Sequence, residues 1–397
     1  MNLIRPWLPG VAVALLAACS LNAPRIAPLP PPAPELPPPP PPAPVAPVVP
    51  QYPAPVATHR FEIDAESDDV VGVVQVTVVG KHDTLPDIAR RFNVGYEEIV
   101  RANPGVDPWL PGAGREVVVP TQFVLPFAER KGIVVNIAAM RIYYFPPVKA
   151  GQKQVVYTHP IGIGKVGWST PEGKTTVVSK QKDPVWRPTA SIRAEHKKNG
   201  EILPAVVPAG PDNPLGRFKL TLGWPSYLIH GTNKPYGVGL RSSHGCLRLY
   251  PEDIAKLFEM AAIGTQVQVV NQPFVFGWHN NQLYLQAYGV LEDDKRDWSK
   301  AQPKLLAKTL TPRIRTELAA SGEAVNWVRV AEITKDPRGL ALSVSSDQDV
   351  TAVIAAAPRV KNLVPAGANW DGADDPALGT QNEVQEMVAE QQQAPRT

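Results

Sequence analysis

Seventeen of the thirty-two residues from Pro24 to Pro55 are proline, including the unbroken run Pro37–Pro42. A segment with so few N–H donors and so many fixed φ angles holds extended polyproline II and cannot join a sheet or a packed helix. At about 3.1 Å per residue it reaches on the order of 100 Å. Everything that folds must therefore follow it, and the tract itself reads as a stiff tether. What precedes it is also no part of a fold. Met1–Pro6 carries one charge, Arg5, and Gly10–Ala18 is an apolar run too short to span a bilayer.

Leu16-Ala17-Ala18-Cys19 closes that run with the cleavage box of a bacterial lipoprotein. Cleavage before Cys19 would turn its thiol into a lipid-bearing thioether, and Ser20 in second place directs such a protein to the outer membrane. A plain signal peptide cut nearby is the alternative. The chain has two cysteines, so one free thiol, Cys246, would remain. A net charge of +3 with no Lys/Arg block gives no footprint for nucleic acid. At 397 residues the chain holds two or three domains plus linkers.

Between Lys81 and Val119 the order of elements is compact. His82-Asp83-Thr84-Leu85 supplies a capping residue for a helix carrying Ile88, Ala89 and Phe92; Tyr96–Ala102 makes a second helix ended by Asn103-Pro104; Val117–Val119 reads as a closing strand. Val70–Val79 is β-rich, with no assigned partner. From Ile133 to Val270 the chain reads mostly as strands with Gly and Pro turns: Ile133–Ile137, Arg141–Phe145, Gln154–Tyr157 and Gln266–Val270. One helix, Pro251–Met260, stands out, with Pro and two acids in its first turn. Phe274–Leu291 reads as a hairpin and Ser299–Ala320 as helix, while Asp371–Thr397 is polar and reads as a disordered tail.

Chemistry concentrates in Leu228-Ile229-His230-Gly231-Thr232-Asn233 and Arg241-Ser242-Ser243-His244-Gly245-Cys246-Leu247-Arg248-Leu249. A thiol, two imidazoles and a guanidinium lie here among glycines. Acyl transfer needs a nucleophile, a base and N–H groups for the oxyanion, and this stretch supplies all three. Cys246 reads as nucleophile and His230, at the end of an apolar strand, as base. A zinc site of His230, His244 and Cys246 is conceivable, but Ser-His-Gly-Cys lacks the usual spacing and no carboxylate follows. An inert buried thiol needs no flanking Gly, His and Arg. Gly162–Gly167 satisfies G-x-G-x-x-G, yet Thr170-Pro171-Glu172-Gly173 follows where a dinucleotide site needs a helix, so it reads as turns between strands.

Two resemblances follow from these residues. Asp83-Thr84-Leu85, Ile88-Ala89, Phe92-Asn93-Val94, Asn103-Pro104-Gly105 and Pro111-Gly112 resemble a lysin motif (LysM) domain, a β-α-α-β binder of N-acetylglucosamine polymers; His82 stands where that motif usually has Gly. His230-Gly231-Thr232 with Ser243-His244-Gly245-Cys246-Leu247-Arg248 resembles the signature of the L,D-transpeptidase (YkuD-type) catalytic domain, as do Thr170–Gly173 and Pro208–Gly216 of its periplasmic members.

The resemblance implies a mainly β catalytic domain, β-sandwich-like with a helix near the nucleophile, beside the small LysM domain. It implies catalytic roles for Cys246, His230, His244 and Gly245, with the N–H groups of Gly245 and Cys246 as oxyanion donors. Substrate contacts fall to Arg248, Thr232 and Ser243. No cofactor or metal is implied. The expected organisation is a signal peptide over 1–18, the tether over 19–60, LysM over 61–125, the catalytic domain over 126–272, a hairpin and helical extension over 273–345 and a low-structure tail over 346–397. The implied partners are peptidoglycan glycan strands and peptide stems, a wall-attached lipoprotein as a second amine acceptor, and the outer membrane through lipidated Cys19, all in the periplasm. A cysteine carboxypeptidase or hydrolase on the same stems, or a LysM adaptor with a vestigial site, are the competing functions. As a separate module, residues 81–120 would be dispensable for chemistry on soluble fragments.

Overall fold

Valine, isoleucine and tyrosine runs pair edge to edge into a nine-stranded sheet in this computed structural model, which describes residues 52–149 and 151–364. The spatial order is Arg60–Ile63, Gln154–Pro160, Arg141–Phe145, Gly132–Asn136, Gln266–Val270, Gly173–Lys182, Phe218–Leu222, Leu228–His230 and Leu247–Arg248. Neighbours run antiparallel except at two places, Gly132–Asn136 beside Gln266–Val270 and Leu228–His230 beside Leu247–Arg248. The long strand Gly173–Lys182 joins the two halves. Its residues 173–176 pair with Gln266–Val269, and after a bulge at Val177–Ser179 it pairs with Phe218–Leu222. A bulge adds bend and twist, so one continuous sheet curls until Ile133, Ile142 and Val267 from one half share a core with Leu220, Ile229 and Leu247 from the other. The sandwich expected from the sequence is this curl.

Around the sheet lie eight helices among the described residues. The first two, α1 (Leu85–Arg91) and α2 (Tyr96–Ala102), sit between the antiparallel strands Gln75–Val78 and Glu116–Val119 in the expected β-α-α-β order. Thr84 caps α1, its Oγ1 accepting from the Asp87 N–H (3.3 Å) while Asp87 Oδ2 accepts from the Thr84 N–H (2.8 Å). The unassigned Val70–Val79 resolves into Val70–Gly72, which pairs with Gln122–Val124, and the opening strand of this unit.

The unit is no bead on a string. Leu85, Ile88, Phe92 and Ile99 share one buried cluster with Val134, Tyr143, Phe145 and Val156 of the main sheet. Val134 faces these helices while Ile133 and Val135 face the inner core, so Gly132–Asn136 is buried on both faces. Short helix α3 (Ala190–Lys198), capped by Thr189, has no buried residue. By contrast α4 (Pro251–Met260), found where expected, buries Ile254 and Leu257 inside the curl.

The hairpin Phe274–His279/Gln282–Ala287 also forms, and Ala341–Ser343 adds a third strand. The expected helix over Ser299–Ala320 is two, α5 (Trp298–Thr309) and α6 (Pro312–Ser321), because Thr311 caps a new helix with Pro312 as its first residue. Next come α7 (Trp327–Lys335) and α8 (Val350–Ala356). The low-structure tail expected from 346 therefore needs correction. Asp349 caps α8 (2.7 Å to the Ala352 N–H), and Arg359–Val360 lies parallel beside Gln75–Val78 with Val360 buried. Such elements, seven and two residues long, are too short to show a period. The signal peptide, Cys19, most of the Pro tract and Asp371–Thr397 lie outside the described residues.

Candidate active site

His230 ends its strand, and the parallel strand after it sets Leu247 against Ile229 and Arg248 against His230. Cys246 stands one residue before that pairing, at the head of the strand. On the far side of the loop, Ile163–Gly164 runs parallel to Arg241–Ser243, and Gly162 exchanges both backbone hydrogen bonds with Arg248 (2.8 and 2.9 Å). The G-x-G pattern, expected to be turns, is a short strand clamped on the nucleophile loop. Its glycine requirement is steric: a Cβ on Gly164 would lie 1.8 Å from the Trp168 carbonyl oxygen. Gly245 has φ +97°, and a Cβ there would meet Tyr227 at 2.8 Å. Its carbonyl accepts from Thr170 Oγ1 at 3.0 Å.

His230 is 3% exposed, with Nδ1 2.6 Å from the Gly231 carbonyl oxygen. A carbonyl only accepts, so Nδ1 carries the proton and Nε2 holds the lone pair. Burial, with Arg248 adding to it, outweighs the Gly231 and Leu215 carbonyls and pushes the imidazole pKa down to about 3. The ring is neutral. Cys246 Sγ lies 3.6 Å from the Ser226 carbonyl oxygen, and burial pushes its pKa up despite the Leu228 backbone and Arg248. The resting pair is thus a thiol and a neutral imidazole. Both open on one cleft of about 480 Å³, lined also by Trp186, Tyr227, Ser243, His244 and Arg248.

Ser243 Oγ donates to the Cys246 carbonyl (2.6 Å) and accepts from the Gly245 N–H (3.1 Å). This engages one of the two expected oxyanion donors, leaving the Cys246 N–H as the candidate; Gly245 serves the turn. Thr232 does not line the cleft. It is buried, its Oγ1 accepting from the Lys234 N–H at 2.9 Å. Arg248 does line it. Its Nη1 donates to Ser242 Oγ (3.2 Å) and its buried Nε has no partner. His244 Nε2 lies 3.0 Å from Glu195 Oε2, and Trp168 packs edge-on against its ring at 4.7 Å. Among the described residues no three His, Cys, Asp or Glu side chains converge as metal ligands.

Sequence reasoning passed over Lys165, Trp168 and Glu195. The cap Thr189 followed by Ile192, Glu195 and His196 at helical spacing was the available signal for α3. The two outlying matches prove structural here. Asn213 Nδ2 donates to the Pro184 and Pro208 carbonyls (2.8 and 2.9 Å), shaping the wall that carries Pro214 and Leu215.

Two family models match the sequence. The L,D-transpeptidase catalytic domain (YkuD) matches residues 130–269 and the LysM domain residues 77–120. The probable L,D-transpeptidase ErfK/SrfK of Salmonella typhimurium is 39% identical over 72% of this chain and 91% of its own length. Two Escherichia coli relatives, the probable L,D-transpeptidases YcfS and YbiS, are 43% and 44% identical. They cover 59% and 54% of this chain, and 72% and 69% of their own lengths.

Proposed function

The chain belongs to the L,D-transpeptidase family, and from that premise we propose that it exchanges a peptide bond in peptidoglycan tetrapeptide stems through a thioester on Cys246. His230 Nε2 takes the thiol proton as Sγ attacks the carbonyl carbon at the L-centre of diaminopimelate. The bond to the terminal D-alanine breaks, and the same proton passes to the departing amine. An acceptor amine then attacks the thioester, giving its proton to His230 and from there to the leaving sulfur. One amide is replaced by another, so no outside energy source is needed. The Cys246 N–H holds the oxyanion, a contact whose removal from such sites costs about 10²–10³ in rate.

The observation that carries this reading is the Gly231 carbonyl on His230 Nδ1, which supports a base with its lone pair at Nε2. The acceptor is a second diaminopimelate amine or the lysine of a lipoprotein. The LysM unit holds glycan, and the protein works in the periplasm with lipidated Cys19 in the outer membrane. Incubation with disaccharide-tetrapeptide, products sorted by mass, tests the chemistry. D-alanine release with dimer formation is expected for the parent, none for Cys246→Ala, and a rate lower by roughly 10²–10⁴ for His230→Ala. Tripeptide without dimer would make the protein a hydrolase, and full activity in Cys246→Ala would remove the nucleophile.

A further inference from the structure

The charged side chains lining the catalytic cleft are Arg187, Lys219 and Arg248, with His230 and His244 beside them; its lining contains no Asp or Glu. One carboxylate does reach its rim. Glu195, on α3, puts Oε2 3.0 Å from His244 Nε2 and forms an ion pair with Lys165 Nζ. The two partners are built into the nucleophile loop. His244 is two residues from Cys246, and the Lys165 N–H donates to the Ser243 carbonyl at 2.9 Å. Trp168, whose N–H donates to the Lys165 carbonyl at 2.9 Å, fixes the His244 ring from the side.

The carboxylate's own mounting is the opposite. Helix α3 buries no residue, and Lys165, Glu195 and His244 are 32%, 25% and 15% exposed at their side chains. The pairs are half-buried, but nothing on α3 anchors Glu195 from behind, so a competing carboxylate can replace it without disturbing the fold. Lys165 and His244 outweigh burial and hold Glu195 ionised.

We propose that Lys165 Nζ and His244 Nε2 form a carboxylate subsite beside the nucleophile, filled in the resting enzyme by Glu195 and taken over by a carboxylate of the bound peptide. The inference rests on the function proposed above, in which the reacting end of the stem offers two such groups, at the terminal D-alanine and at the D-centre of diaminopimelate. Glu195 acts as an internal stand-in that substrate must displace, so its removal helps binding where loss of Lys165 harms it.

Binding is measured by calorimetry in the Cys246→Ala background, where no turnover intervenes. The ligands are disaccharide-tetrapeptide and two analogues, each with one of these carboxylates amidated. Lys165→Met should weaken binding of the acidic stem about tenfold, and Glu195→Gln should tighten it about threefold, as expected for gain or loss of a charge-assisted contact. Amidation of the recognised carboxylate should erase the effect of Lys165→Met, which tells the two groups apart. Melting curves of both variants should match the parent. Equal binding by Lys165→Met, or weakening by Glu195→Gln, would overturn the subsite while leaving stem binding and D-alanine release by the parent intact. Absence of both would instead sink the function on which it rests.

Discussion

The nucleophile loop is gripped from behind and left open in front, and the two sides are built from different physics. Behind it, α4 starts three residues after Arg248 and meets α1 and α2 through buried charge. Asn93 Nδ2 donates to both Asp253 oxygens (2.8 and 2.7 Å), His159 Nδ1 lies 2.9 Å from Asp253, and Arg90 pairs with Glu252. Arg141, fully buried, meets Glu98 at 2.8 and 3.0 Å and donates to the Asn93 carbonyl. The Tyr96 and Glu97 N–H groups donate to the Val238 and Gly239 carbonyls, and a Cβ on Gly239 would meet the Tyr96 nitrogen at 2.3 Å. In front, α3 buries no residue and meets the loop through the half-buried pairs of Glu195 with Lys165 and His244. Precision is needed behind the sulfur, where geometry sets the rate, and access in front of it, where substrate enters. The LysM unit is thus part of the catalytic domain's scaffold.

Deleting residues 77–120 breaks the comparison most severely. It strips the cover from Val134, Tyr143, Phe145 and Val156 and leaves Arg141 without Glu98. We expect no soluble folded remainder, read by yield and circular dichroism; a deletion that folds and turns over soluble stems would restore the separable module that the sequence suggests. Arg141→Met should cost about 3–5 kcal/mol in urea unfolding, because it strands the buried Glu98 carboxylate, with Arg141→Met/Glu98→Gln recovering part of the loss. On the front side, Ala194→Gly in α3 should leave the global urea midpoint in place. Its helix penalty of about 1 kcal/mol stays local, read as faster amide exchange over residues 190–198. A matching loss of global stability would show that α3 is gripped as firmly as α4.

What was legible in the sequence follows the same division. Helix α4 and the strand Gln266–Val270 appear with their expected ends, because burial imposes a clear period and Pro251 marks a start. Cys246 and His230, singled out from the residues because a strand end and a flanking glycine leave a chemical trace there, open on one cleft. Glu195 left none. An acid in a polar helix looks like solvent decoration until His244 and Lys165, far away in sequence, are found against it. The local bond of Thr232 Oγ1 with the Lys234 N–H was likewise invisible, because a hydroxyl beside the base carries no mark of the turn it joins. Nor can the joining of LysM to the sheet be seen in single strands, because Val134 and Ile133 belong to different cores on opposite faces of one run.

The parallel pairing of Arg359–Val360 with Gln75–Val78 has a consequence for assembly. Thr77 Oγ1 donates to the Val360 carbonyl across 283 residues of chain (2.8 Å). A strand edge near the start of the described residues therefore waits unpaired until almost the last of them is available to it. Closing so long a loop is slow, and an open edge invites pairing with a second chain. Prematurely terminated copies would carry that edge exposed, so a single short strand at the far end separates the finished protein from its fragments.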